Sequence, residues 1–525
     1  MSEASDKTTA VDEITKGYTF DEPAIELGVL ADGGTPVPDA KIRIPLSMLN
    51  RHGLVAGATG TGKTKTLQLM AEQISNAGVP VFAADIKGDL SGLGSAGTSS
   101  EKLLARTRAI GQDWMGAANP VDYYALGGQG TGIPLRASMT SFGPVLLSKV
   151  LELNETQESS LGLVFHYADT KGLPLLDLKD LVSLLRYLTD GEGRAELKTI
   201  GGLSSTTVGV ILRNLIALSD QGADDFFGEP EFETKDLLRT ASDGRGIISL
   251  LELPNLQDRP ALFSTFLMWL LADLFHDLPE VGDVEKPNLV FFFDEAHLLF
   301  DGASKAFLDA IAQTVRLIRS KGVGVFFVTQ TPKDVPDDVL AQLGSRVQHQ
   351  LRAHTPNDAK ALKQTVATFP RSHYDLAETL QSLGIGEAIV TVMDPDGAPT
   401  PVAWTRMRAP QSLMAPTPAE QMAAAVSASP LQAKYGTPVD RESAQEMLAA
   451  KLQAAADAAA AEAAAKQQAA EQKAQQAAEK VSAPRGRARQ DKTVVEQVVG
   501  SSAFKQFARS AGREIVRSLF GTRRR

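Results

Sequence analysis

The chain has 525 residues, 43% of them hydrophobic and 22% charged, values typical of ordinary soluble proteins, at a length that allows roughly two to four domains. There is no cysteine, which excludes disulfides, thiolate metal centres and thiol nucleophiles. The net charge of −10 is unevenly spread: from Val481 to Arg525 eleven Lys and Arg face three acids, a net of +8, leaving −18 on the first 480 residues. An acidic body of this kind does not match a sequence-reading DNA-binding domain, and the basic tail is a separate electrostatic object. The polar, acidic start MSEASDKTTAVDEITKG is no signal peptide. The greasiest stretch, 261–275, carries Asp273 and is too short to span a bilayer. A cytoplasmic location is therefore expected, with peripheral attachment at the membrane left open.

Residues 1–50 hold two apolar runs, 25–30 and 42–46, around a Gly/Pro-rich turn, and predict a short N-terminal β element. From 53 to 89 the pattern is strand, Gly-rich loop, helix, strand. Residues 101–240 read as a helical insertion, with three- and four-residue apolar spacing over 144–153, 157–167, 178–188 and 205–219. Strands return at 247–253, 289–293, 323–329, 346–352 and 387–393, mostly separated by helical stretches. This alternation predicts an α/β core with a mostly parallel sheet, built from 51–100 and 241–410.

Residues 411–483 read as a linker, rich in Pro, Ala and Ser up to 438, followed by an Ala-rich helix over 441–480 with few large apolar residues. Residues 484–525 form a basic tail. On a helix over 503–520, Phe504, Ala508, Ala511, Ile515 and Leu519 make an apolar stripe, and Lys505, Arg509, Arg513 and Arg517 a basic one. Such a helix suits an anionic membrane surface or an acidic protein groove; folding back on the acidic body, or contact with DNA, are the alternatives.

The strongest chemical signal is Gly57-Ala58-Thr59-Gly60-Thr61-Gly62-Lys63-Thr64, which fits G-x-x-x-x-G-K-[ST] between a strand over 52–56 and a helix over 65–75. The glycines let backbone N–H groups turn in around phosphate oxygens, and the helix adds its N-terminal dipole. Lys63 reaches the β- and γ-phosphates, and the Thr64 hydroxyl ligates Mg²⁺. Two acidic strand ends follow. Asp294-Glu295, after the apolar run 289–293, supplies one carboxylate for Mg²⁺ and one, Glu295, to activate water as the catalytic base. Asp85, in Asp85-Ile86-Lys87-Gly88-Asp89, supplies only one and reads as a turn or cap residue beside the site. Gln330, at the end of the strand 323–329, is placed to sense the γ-phosphate and orient water. Arg316 and Arg319 lie three apart on one helical face, from which an arginine can enter a neighbour's site; spacing alone favours solvated surface arginines. No Asn-Lys-x-Asp segment for reading guanine occurs, so ATP is favoured over GTP. His297 reads as a packing or local hydrogen-bonding residue.

The phosphate loop, the long helical block, FFDEAHLLF at 292–300, VRLIRSKGVG at 315–324 and VTQ at 328–330 together resemble the HerA/FtsK superfamily. More narrowly they resemble the bacterial HerA-like helicase C-terminal domain family, with further matching stretches at 144–148, 344–353 and 384–388. The resemblance covers about residues 20–410, with a short echo near 507–521. It implies a RecA-like core, a homo-oligomeric, hexameric ring, and ATP hydrolysis between subunits. Within it, Lys63 and Thr64 are the Walker A pair, Asp294 and Glu295 Walker B, and Gln330 the sensor. Arg319 matches the arginine that acts in trans. About 50 residues precede the phosphate-loop strand, too few for the full β-barrel that docks a nuclease in archaeal HerA, which argues against a nuclease partner. Membrane spans and a winged-helix DNA reader of the FtsK kind are also missing.

Two functions stay open at this stage. One is a ring ATPase motor that tracks double-stranded DNA phosphates without reading sequence. The other is an ATP-driven switch or assembly protein whose partner is a protein or a membrane surface. The resemblance favours the first, the charge of −18 the second.

Overall fold

The computed structural model describes residues 2–253, 260–282, 284–301, 303 and 305–481. The basic tail 484–525 and its expected helix over 503–520 lie outside the described residues. The chain divides into two units, one to Ala450 and one from Lys451. Of the second, the described part belongs to the helix Ala444–Val481, where an almost unbroken run of strong helix formers leaves most side chains exposed.

The first unit is built on twelve strands: β1 Ala24–Asp32, β2 Thr35–Pro45, β3 Gly53–Ala56, β4 Val81–Asp85, β5 Val121–Leu126, β6 Ile133–Leu135, β7 Ile248–Glu252, β8 Leu289–Phe293, β9 Val323–Thr329, β10 Ser345–Gln348, β11 Glu387–Thr391 and β12 Ala403–Met407. They form one sheet in the order β2-β1-β12-β11-β10-β3-β9-β8-β4-β7-β5-β6. From β10 to β6 every pair is parallel. From β10 to β2 every pair is antiparallel. The central strands are buried on both faces, which is why they read as unbroken apolar runs. Their cross-strand neighbours are aromatic: Phe292 meets Phe326 and Phe293 meets Phe327 in register, with ring centroids 5.4 and 5.5 Å apart.

The helix Lys63–Asn76 follows β3 and buries Leu67, Met70, Ala71 and Ile74, a spacing of three and four that makes one core-facing stripe. Its polar residues are tied down as well. Gln73 accepts from the Glu26 N–H and donates to its carbonyl, both at 2.7 Å. The Glu72 carboxylate accepts the N–H groups of Gln411 and Ser412 at 2.8 and 2.7 Å.

Three expectations are corrected. The N-terminal β1 and β2 are not a separate element; β12 welds them to the main sheet. The stretch 101–240 is not wholly helical: β5 and β6 extend the parallel sheet, and the helices stand outside it over Met139–Val150, Glu155–Lys171, Leu178–Thr189 and Ser205–Asp220. The Gly-rich run between them and the three-residue length of β6 hid them among the helical periods. Finally, the stretch 411–438 is packed rather than a free linker. Its backbone bonds to Glu72, Lys65 and Gln68 of the phosphate-loop helix. Tyr435 is fully buried, its ring 5.2 Å from that of Phe232 and its hydroxyl on Asp236 at 2.6 Å. Composition misleads here because a few side chains, Tyr435 and Leu431, do the burying within a Pro/Ala/Ser-rich background.

Among the described residues no helix is long and apolar enough to cross a membrane. A test of the packed segment follows from Tyr435. Tyr435→Ala removes a large buried side chain, and with it the hydroxyl that bonds to the Asp236 carboxylate and accepts the Glu233 N–H. It should destabilise the first unit by about 3–4 kcal/mol, seen as a lower urea midpoint. A free linker would show no change.

Candidate nucleotide site

Parallel strands put their carboxyl ends on one edge, and there the chemistry gathers. The Gly57 N–H donates to Thr329 O at 3.2 Å, and the Ala296 N–H donates to Val328 O at 2.9 Å, so the ends of β3, β9 and β8 lie level. Lys63, Gln330, Asp294 and Glu295 are thereby brought to one edge.

The loop 57–62 needs its glycines, and Gly57 and Gly62 also meet close neighbours. A Cβ on Gly57 would stand 2.5 Å from the Cβ of His349. Gly62 has φ +122° and lies 3.4 Å, at its would-be Cβ, from the backbone of Gly386. Thr64 opens the helix, half-buried, just after Lys63. The Lys63 ammonium donates to Gly57 O at 2.7 Å and Ala58 O at 3.3 Å. Burial lowers its pKa, and Glu295 and Asp294 partly offset that. It is a desolvated cation in the field of two carboxylates.

Asp294 is 3% exposed, and burial, with Glu295 beside it, pushes its pKa up to about 7. Its Oδ1 accepts the Glu295 N–H at 2.9 Å. Glu295 has φ +48°, in the left-handed region that few non-glycine residues adopt, a conformation also taken by His52 and Glu152. One carboxylate oxygen pairs with Lys87, and the other lies 3.2 Å from His297 Nδ1. Gln330 is exposed and lines a cavity of about 550 Å³ with His297, Asp301, Thr331 and Asp334. Asp334 fixes the turn that carries Gln330, accepting from Thr329 Oγ1 at 2.6 Å and the Thr331 N–H at 2.9 Å.

Arg319 is not on this edge. It follows the helix Lys305–Ile318, in a turn just before β9, so the length of β9 separates it from Gln330. Asp85 is buried at the end of β4, where its carboxylate accepts the N–H groups of Gly88, Asp89 and Leu90. Burial raises its pKa to about 6, and that of its strand neighbour Glu252 to about 8 with help from Asp85 and Asp89.

Three residues escaped the sequence reading. Lys87 is legible only as a lysine two places past a strand end. Asp334 sits just past Gln330, but nothing local marks it as a support. His349 is a lone histidine after β10, and nothing in its neighbours signals its role. It is fully buried behind the phosphate loop, Nδ1 2.8 Å from Glu387 O and Nε2 2.9 Å from Thr66 Oγ1. A carbonyl only accepts, so Nδ1 carries the proton and Nε2 accepts from Thr66. Gly386, one residue before Glu387, donates its N–H to Thr61 O at 2.9 Å, so the loop before β11 braces the phosphate loop from the same side.

The family described as Helicase HerA-like C-terminal matches residues 33–525. The chain is 21% identical over 388 residues to the DNA double-strand break repair helicase HerA of Saccharolobus solfataricus, covering 73% of this chain and 68% of that one. Among solved structures it is similar to the bacterial conjugative coupling protein TrwB lacking its first 70 residues, with a TM-score of 0.50, 16% identity, and coverage of 77% of this chain and 94% of that one. The same plasmid coupling protein in complex with a non-hydrolysable ATP analogue gives a TM-score of 0.50, 17% identity, and coverage of 78% and 94%.

His349 makes a pH prediction. Burial holds its pKa at about 4 against an ordinary value of 6.5. The folded chain keeps it neutral while the unfolded chain takes up a proton, so stability falls as pH drops from 6.5 towards 4, by about 2–3 kcal/mol from this group. His349→Asn, which keeps the donor to Glu387, should be less stable at pH 7.5 yet show a shallower loss between pH 6.5 and 4 in urea titrations. An unchanged slope would contradict the assignment.

Proposed function

As a member of the Helicase HerA-like C-terminal family this chain is a P-loop ATPase, and we propose that it works as a homo-oligomeric, hexameric ring motor that tracks double-stranded DNA without reading its sequence. The observation that carries the ATPase chemistry is the single strand-end cluster of Lys63, Asp294, Glu295 and Gln330. The DNA substrate is supported by the family and by the helicase relative.

The chain's residues divide the work. The amides of Gly57, Ala58, Thr59, Gly60, Thr61 and Gly62 and the start of the helix Lys63–Asn76 cradle the phosphates. Lys63 leaves its loop carbonyls for the β- and γ-phosphates. Thr64 and Asp294 would hold Mg²⁺. One hydroxyl and one buried carboxylate suit an ion that keeps waters and takes phosphate oxygens for the rest of its shell. When bound, Mg²⁺ neutralises charge on the β- and γ-phosphate oxygens. Glu295 takes the proton of the attacking water, and Gln330 orients that water. Arg319, on the opposite edge of its own β9, reaches a site only from a neighbour. This is the head-to-tail contact that closes rings. The sheet and its antiparallel flank are the motor core, and the helices over Met139–Asp220 are its insertion.

A second reading, an ATP-driven switch acting on a protein or membrane-surface partner, is favoured by the charge of −18 over the first 480 residues. The two separate in one measurement: ATPase rate with and without double-stranded DNA, at low and physiological salt. Stimulation that fades with salt is expected for the motor; none at either salt favours the switch.

Lys63→Ala should abolish turnover with loss of productive nucleotide binding. Glu295→Gln should bind nucleotide and turn over about 10²–10⁴-fold more slowly; wild-type turnover would remove Glu295 as the base. Arg319→Ala should bind ATP and hydrolyse it poorly, and mixing it with Lys63→Ala should restore part of the rate. No rescue in rings shown to be mixed would rule out action in trans.

A further inference from the structure

Two lysines stand near Glu295, and the reaction so far uses only Lys63. Lys87 lies on the turn that leaves β4. That turn is fixed, because the buried Asp85 carboxylate accepts the N–H groups of Gly88, Asp89 and Leu90 at 2.7, 3.2 and 2.7 Å. From this base the Lys87 ammonium pairs with Glu295 Oε1. The pair is asymmetric: the Glu295 side chain is 5% exposed and that of Lys87 45%. The carboxylate is enclosed, and the ammonium comes to it from the open side. Glu295 Oε2 faces His297 Nδ1 at 3.2 Å. The backbone at Glu295, with φ +48°, fixes where the carboxylate points.

A carboxylate whose lone pairs are engaged by an ammonium is a poor acceptor for a water proton. The base is therefore held by a group that has to let go before chemistry. The triphosphate end is what can compete for it: a γ-phosphate offers three oxygens and more charge than one carboxylate, and an ammonium binds it as a point charge. A diphosphate has no such group. Being half-exposed and on a long stem, Lys87 can change partners at little cost in desolvation.

We infer that Lys87 is a positioning residue for the ATPase reaction, which holds the Glu295 carboxylate and releases it to water when the γ-phosphate takes its ammonium. This rests on the assignment of Glu295 as base and of the loop 57–64 as the ATP site. An ordinary exposed ion pair would instead contribute little and would not distinguish one nucleotide from another.

The test is a double-mutant cycle in the full chain, reading equilibrium affinity for ADP and for a non-hydrolysable ATP analogue with Mg²⁺. Glu295→Gln removes the competitor and should tighten the analogue about 5–20-fold while leaving ADP within about twofold. Lys87→Ala should weaken the analogue by a similar factor and spare ADP. In the double variant the gain from Glu295→Gln should vanish, so coupling appears with the triphosphate alone. Lys87→Arg should keep the discrimination, and Lys87→Gln repeats the cycle with most of the side chain's length retained if the alanine variant fails to fold. Equal effects on both nucleotides, or additive single effects on the analogue, would overturn the role given to Lys87. Wild-type protein that binds neither nucleotide would instead overturn the ATP site itself, a failure that Lys63→Ala, expected to lose productive binding, serves to calibrate.

Discussion

Charges that have lost their water must find one another, and the carboxyl edge of the central sheet is arranged around that need. Lys63, Asp294 and Glu295 are all buried at neighbouring strand ends. Each would be costly alone in a medium where water is excluded; together they compensate in part. The remainder shows as shifted pKa values, Lys63 down and Asp294 up, each mainly through burial. A corner left electrostatically uneasy in this way is suited to a polyanion and a divalent cation, because both arrive with the charge the site lacks. Such a corner forms because the parallel arrangement of β3, β9, β8 and β4 delivers these side chains to one edge.

A loop that must present its amides needs a wall behind it. That wall comes from the antiparallel half of the sheet. His349, beyond β10, fills the space that a Cβ on Gly57 would claim and bonds both to Thr66 and to the start of β11. The backbone at Gly386 closes on Thr61 and Gly62. Glu72 and Gln73 carry the same tie from the phosphate-loop helix to the segment after β12 and to β1. The antiparallel half of the sheet is thus the buttress of the loop.

What was legible in the sequence follows from how local each signal is. The phosphate loop, its flanking strand and helix, and the runs ending at Asp294 and Thr329 are contiguous patterns, and β8 and β9 have the bounds expected of them. Two helices were legible from the apolar spacing over 157–167 and 178–188; the structure starts them with reciprocal caps, Asn154 on Glu155–Lys171 and Asp177 on Leu178–Thr189, which the spacing did not use. Lys87 and His349 were not, because their meaning lies in partners 208 and 283 residues away in the chain. Strands β5 and β6 were lost for a related reason. β5 takes its place by pairing with β7, more than a hundred residues later, and the three-residue β6 lies beyond it, paired with β5. The packed segment up to Tyr435 was lost because composition averages over residues, while a single aromatic side chain decides where the chain docks.

The position of Arg319 draws these threads into one constraint on the whole molecule. β9 runs from the turn that holds Arg319 to the edge that holds Gln330, so the two ends of one strand face two different places. Within a single chain they cannot meet, because a strand is stiff along its length. In the proposed head-to-tail assembly they would be the two halves of each interface, and every strand β9 would link the nucleotide site of its own subunit to that of the next. With Gln330 as the proposed γ-phosphate sensor, an event there would be carried along a buried, fully paired strand rather than through a loop. A rigid connection of this kind passes on displacement instead of absorbing it. The aromatic ladder of Phe292, Phe293, Phe326 and Phe327 would supply that stiffness through the middle of the sheet, between the chemistry at one end and the arginine at the other.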